Sequence, residues 1–179
     1  VSKKQEILKV AEARVRSGGY NNFSFRDIAD EVGIKSASVH YHFPTKENLA
    51  AELARQYTDR FLLALGKPHE LANVGKDPIA VYGAHFRSAL VNDKKMCLCG
   101  MLGAESDCLP DDVRYEIKRF FERNISWLEQ AHSVVNVDDK ANARAKAIAT
   151  VSLLEGAMMV SKSLEDNGIF DLAVDASLV

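Results

Sequence analysis

Residues 23–49, FSFRDIADEVGIKSASVHYHFPTKENL, constrain the fold more than any other stretch. Their punctuation is dense. Ser24 followed by Asp27 has the spacing of a capping box with Asp in the place of Glu, and Ile28, Ala29 and Val32 give a short helix one buried face. Gly33 closes that helix, and Ser36 is a good N-cap for a second. Val39 and Phe43 stand four apart as the core face of this second helix, and Pro44 ends it by pushing its predecessor out of the helical region. Thr45 then caps a third. Two short helices joined by a three-residue turn containing glycine are a helix-turn-helix.

The surroundings are helical too. Ile7, Leu8, Ala11 and Val15 form one apolar stripe, ended by Gly18-Gly19. After Thr45 the stripe runs through Leu49, Leu53, Tyr57 (or Gln56), Phe61 and Leu65 to about Gly66. GKPHELANVGKD reads as a linker. Asp77-Pro78 reads as cap and first turn of a helix bearing Ile79, Tyr82, Phe86 and Leu90. A cysteine-bearing segment follows, then beyond Pro110 a long helix with Val113, Ile117, Phe120, Phe121, Trp127 and Leu128. SVVNVDD breaks that helix, and a last long pattern spans Lys140 to Asn167, with Gly168 and a shorter amphipathic piece behind it. No strand alternation, internal repeat or low-complexity tract appears. The expected fold is all-α: an N-terminal three-helix domain with the helix-turn-helix, residues 1–48, then a larger helical domain, residues 49–179.

Composition supports a folded chain: 47% hydrophobic and 27% charged residues with four prolines argue against disorder. No run of 18 apolar residues is present, so no membrane span is expected. The N-terminus shows no apolar signal region, and three cysteines without an export signal suit a reducing compartment; a cytoplasmic location is the expectation. The net charge of -2 is uneven: residues 1–60 hold ten Lys/Arg against eight Asp/Glu, which favours the N-terminal part as the one that meets phosphate.

The side chains of the second short helix other than Val39 and Phe43 are small or hydrogen-bonding, as a helix entering a major groove requires. Here the sequence resembles the TetR-type transcriptional regulators. The resemblance rests on I-A-x-x-x-G in the first short helix, Y-H-F ending the second, and the K-E-x-L that follows. It covers residues 7 to about 55; the rest matches the family in length and helicity only. It implies a cytoplasmic homodimer that binds double-stranded DNA and releases a palindromic operator when a small-molecule effector of unknown identity binds. On this reading Ser24 and Arg26 approach phosphate. Lys35, Ser36, Ala37 and Ser38 open the recognition helix, Tyr41 and His42 approach phosphates, and Lys46 clamps another. His40 stands where the family often has tyrosine, so the base contact there departs from the family's pattern.

The resemblance also places an effector among Tyr82, His85, Phe86, Met101, Glu105, Phe121, Trp127 and Met158, and a dimer interface along Ile148, Val151, Ser152, Glu155, Gly156 and Met159 with IFDLAVDASLV. Other chemistries fare worse. His40 and His42 point about 200° apart on a helix and cannot chelate one ion together, so no metal is expected, and no cofactor motif is present. Cys97, Cys99 and Cys108 lack zinc spacing; they are packing residues or, alternatively, redox or electrophile sensors, for which Lys94 and Lys95 would favour thiolate. G-x-S-x-G, Walker, dinucleotide and H-E-x-x-H motifs are all missing, which disfavours a small helical enzyme.

Overall fold

The computed structural model describes residues 2–178, with side chains described as far as Ala176. Among the described residues every regular element is helical: α1 (Lys3–Gly18), α2 (Phe25–Val32), α3 (Ser36–His42), α4 (Lys46–Leu65), α5 (Pro68–Asn73), α6 (Pro78–Val91), α7 (Leu98–Gly103), α8 (Asp111–Val135), α9 (Ala143–Ser163) and α10 (Gly168–Leu178). None is long and apolar enough to cross a membrane.

By internal contacts the chain forms two compact units that are not consecutive in sequence: Val1–Asp59 with Cys97–Phe120, and Arg60–Met96 with Phe121–Val179. Helices α4 and α8 each contribute residues to both.

In the first unit α1 packs on α2, α3 and α7, and α2 on α3. Its buried side chains include Ile7, Leu8, Ala11, Val15, Ile28, Ala29, Val39, Phe43, Leu49 and Leu53. The apolar stripe of α1 and the anchors Ile28, Ala29, Val39 and Phe43 thus lie inside, whereas Val32, expected on the same face of α2, is only half-buried. Local chemistry sets the boundaries. Ser24 caps α2 through a complete capping box with Asp27, and Gly33 ends it in the left-handed region at φ 71°, where a residue with a Cβ is strained. Thr45 Oγ1 accepts the Asn48 N–H at 3.1 Å, as a cap for α4 should.

In the second unit α6 packs on α5, α9 and α10, and α9 on α10. Tyr82, Phe86, Leu90, Leu128, Ala147, Leu154, Met158 and Phe170 are its core. Asp77 caps α6 by accepting the Ile79 N–H at 2.8 Å, with Pro78 in the first turn.

Four expectations need correction. Lys35, not Ser36, is the N-cap of α3, and it makes no side-chain capping bond; Ser36 already has helical backbone, so its hydroxyl is not placed to cap. Phe43 is the C-cap residue of α3, though buried. The supposed linker folds as α5, because Pro68 suits a first helical position and buries its ring. The last long pattern begins with a 3-10 stretch over Val137–Asn142, and its helix stops at Ser163, four residues before Asn167.

Candidate nucleic-acid interface

Helix α3 is buried on one side only. Val39 is 0% exposed and Phe43 3%, whereas Lys35, Ser36, Ala37, Ser38, His40 and Tyr41 face solvent. At about 100° per residue, positions two before and two after Val39 point away from it, and these are Ala37 and Tyr41. Tyr41, a large aromatic ring, is 84% exposed. His42 is half-buried, with its ring edge-on to Tyr41 at 5.2 Å. Anchoring α3 through two side chains, each stabilising by about 1.5–3 kcal/mol when buried, leaves the opposite face free.

His40 is held in a defined pose. Its ring meets Phe25 edge-on at 4.6 Å, and Nδ1 lies 3.3 Å from the Pro44 carbonyl oxygen. A carbonyl only accepts, so in this contact Nδ1 carries the hydrogen and Nε2 is the nitrogen not engaged.

The phosphate candidates divide. Ser24 is occupied: its hydroxyl donates to Asp27 Oδ2 at 2.7 Å, its N–H to the same oxygen at 2.9 Å, and its Oγ accepts the Asp27 N–H. These bonds hold the Asp27 carboxyl below the ordinary carboxylate range, with Arg14 and Arg26 helping. The Arg26 and Lys35 side chains are exposed, and neither makes a side-chain hydrogen bond or ion pair with the described residues. Lys46 sits against two rings, its Nζ 4.4 Å from the Tyr20 centroid and 4.6 Å from that of Phe23. Partial burial pulls its pKa below the usual lysine value, while the negative charges of Glu105 and Asp27 pull the other way. Phe25, Tyr20 and Phe23 carried no signal in the sequence beyond being aromatic, since their roles come from neighbours in space.

The remaining candidates also separate. Tyr82, His85 and Phe86 come together in the second unit around Phe61, whose ring is edge-on to all three, and Trp127 lies tilted against Tyr82 at 5.5 Å. Tyr82 stacks on Phe86 at 5.4 Å and its phenol donates to Asn124 Oδ1 at 2.8 Å; both residues are fully buried. Trp127 donates to the Gly66 carbonyl at 2.8 Å. Met158 is buried and Phe121 half-buried in this unit, whereas Met101 and Glu105 belong to the first unit. A groove of about 580 Å³ between α6 and α10 is lined by Ile79, Ala80, Gly83, Phe170 and Val174, with the bidentate Arg87–Asp171 pair beside them.

On α9, Ile148, Ser152, Gly156 and Met159 are exposed along one face, Glu155 is half-buried, and Val151 is in the core. Of the accompanying IFDLAVDASLV segment, Val179 lies outside the described residues. Cys97 and Cys99 are buried, the first as the N-cap of α7 with its Sγ accepting the Gly100 N–H at 3.4 Å; Cys108 is exposed. Burial, with the neighbouring cysteines, pushes the Tyr57 phenol well above its usual value. Among the described residues no three His, Cys, Asp or Glu side chains converge as metal ligands.

Residues 7–53 match the model of the bacterial regulatory proteins, tetR family. The whole chain superposes on a TetR transcriptional regulator from Legionella pneumophila at 31% identity and a TM-score of 0.84, covering 99% of this chain and 98% of that one. The chain belongs to the TetR family of bacterial regulatory proteins. A TetR-family regulator from Agrobacterium tumefaciens is similar over 97% of this chain and 94% of its own, at 26% identity and a TM-score of 0.83. The N-terminal part is also 40% identical over 58 residues to the HTH-type transcriptional repressor KstR2 of Mycobacterium tuberculosis. That match takes in 32% of this chain and 29% of the repressor, so the chain spans under a third of the length of this curated relative. As a TetR-family member the chain carries its helix-turn-helix in α2 and α3.

Proposed function

We propose that this TetR-family chain is a homodimeric transcriptional repressor that reads a palindromic operator with α3 and lets go when a small molecule binds its helical part. The observation that carries the reading is the one-sided burial of α3: Val39 and Phe43 hold it down, and Ser36, Ala37, Ser38, His40 and Tyr41 remain outside. Arg26, Lys35 and Lys46 beside that face supply the charge that phosphate contacts need. The similarity to KstR2, a transcriptional repressor, supports repression as the mode.

Residues 1–48 are the DNA-reading part, and residues 49–179 bind the effector and dimerise. Two half-sites one helical turn apart, about 34 Å, require two recognition helices. The exposed face of α9, with Ile148, Gly156, Met159 and also Val160, supports pairing of two chains there. The aromatic cluster around Tyr82 and Trp127 supports an effector with an apolar body. Release is a population shift: an effector with higher affinity for a dimer of different head spacing draws the equilibrium away from the DNA-bound form. The reading assigns the chain no catalytic step. Burial of Cys97 and Cys99 supports packing as their role.

The test is a binding titration of the chain against duplex DNA flanking its gene. Binding that weakens linearly on a log–log salt plot, by several phosphate contacts' worth, is the expected result. Absence of binding at low salt would sink the proposal.

A further inference from the structure

Glu105, between α7 and α8, reaches the corner that precedes α2. Its Oε2 accepts the backbone N–H of Tyr20 at 2.8 Å, across 85 positions of sequence. The corner is shaped to admit the carboxylate. Gly19 has φ 78°, and a Cβ built on it would stand 2.4 Å from Glu105 Oε1. Tyr20, so fixed, is one of the two rings that hold Lys46. The Lys46 ammonium makes no hydrogen bond or ion pair with the described residues, yet Glu105 and Asp27 both act on it through space. Asp27 belongs to the helix-turn-helix and is committed to its own capping box. Glu105 comes from outside it.

Two consequences follow. The hydrogen bond to Tyr20 fixes the ring beneath Lys46, so Glu105 places the ammonium without touching it. Its negative charge also acts on the Lys46 ammonium itself, and that attraction competes, in a salt-dependent way, with whatever anion Lys46 binds. The two effects oppose each other, and substitution separates them.

We propose that Glu105 is a positioning residue for phosphate binding: it sets the Tyr20–Lys46 pair and restrains its grip, so that the placement of the α7 segment governs how tightly Lys46 holds DNA. This rests on the reading of α2, α3 and the start of α4 as DNA-binding. A shift of α7 that withdraws the carboxylate changes DNA affinity without altering α3.

The experiment uses the full chain, a duplex of about 30 base pairs flanking the gene, and an unrelated duplex of equal length, over a salt series. Glu105→Gln keeps an acceptor for the Tyr20 N–H and removes the charge; Glu105→Ala removes both. The Gln variant should bind both duplexes about three- to tenfold more tightly at low salt, the gain fading as salt screens it. In a Lys46→Met background the same change should have no effect on affinity, a coupling that a purely structural role does not produce. Amide exchange at Tyr20, read without DNA, should stay near wild type in the Gln variant and quicken about tenfold or more in the Ala variant. Should the Ala variant fail to fold, the Gln variant and the Lys46→Met cycle decide alone. Equal affinity of wild type and Glu105→Gln at low salt overturns the inference, as does a Gln effect that persists without Lys46. If wild type binds neither duplex at low salt, the DNA-binding reading falls and takes the inference with it, a pattern distinct from the other two.

Discussion

Stability and DNA affinity should come apart within the single helix α3, through Val39→Ala and Tyr41→Ala. Val39 is 0% exposed and Tyr41 84%, two residues apart on opposite sides. Truncating Val39 removes two buried methyl groups at about 0.8 kcal/mol each and leaves a cavity, so its cost to folding is about 2–3 kcal/mol. For a chain this long that lowers Tm by roughly 4–12 °C. Tyr41 has almost nothing to lose on folding, and its removal should change stability by no more than about 0.5 kcal/mol. On DNA the order inverts. A phenol hydrogen bond to a phosphate contributes about 1.5–3 kcal/mol, so Tyr41→Ala should weaken binding by about ten- to 150-fold per subunit. The pair is measured by thermal unfolding and by fluorescence anisotropy on flanking-gene DNA, below the melting range of both variants. Tyr41→Ala lowering Tm as far as Val39→Ala would refute the one-sided burial; Tyr41→Ala binding DNA like wild type would refute the assignment of that face.

The other expectations are briefer. The Ser24 bonds hold Asp27 below its unfolded value, so its stabilisation is complete above about pH 4 and is lost as pH falls through the lower folded value; Asp27→Asn should flatten the acid limb in urea midpoints between pH 5 and 2, and an unaltered limb would count against the capping box. Tyr82→Phe deletes a buried phenol donor to Asn124 and should cost about 1–3 kcal/mol by chemical denaturation; no measurable loss would mean the bond contributes nothing. Met159→Arg, on the exposed face of α9, should give a monomer by sedimentation that no longer holds a palindrome, while Val151→Ala lowers stability and leaves assembly intact. With Nδ1 engaged by the Pro44 carbonyl, His40 has Nε2 left to act as an acceptor, which matches the amino groups of adenine and cytosine in the major groove; selection from randomised duplexes should show that preference at one half-site position, and His40→Ala should erase it.

What could be read from the sequence is what depends on neighbours in the chain. The capping box of Ser24 and Asp27, the left-handed Gly33 and the stop at Pro44 act over three or four residues, so their residue types suffice to place α2 and to bound α3. Even there the reading failed where two local signals competed: Ser36 looked like a cap because serine favours that position, but the turn after Gly33 is completed one residue earlier, at Lys35. Pro68 marked a helix start inside a stretch that glycine and polar residues made look like a linker. Contacts distant in sequence left no trace of this kind. Nothing about Glu105 as a letter distinguishes a carboxylate that accepts Tyr20 N–H from one in solvent, and Val151 shares the periodicity of α9 with Ile148 yet points inward.

His40 shows how the two sources of information combine. The sequence marks it as a departure from a family pattern, which on the proposed DNA-reading role predicts a different base contact there but not which one. The Pro44 carbonyl, four residues on, supplies the missing constraint by engaging Nδ1. A tyrosine at the same position would bring a hydroxyl that both donates and accepts, whereas an imidazole whose Nδ1 is engaged has only Nε2 left to offer. On the proposed DNA-reading role the substitution should therefore narrow what α3 accepts at that position, with a backbone oxygen of the following turn, not a side chain of α3, setting the direction.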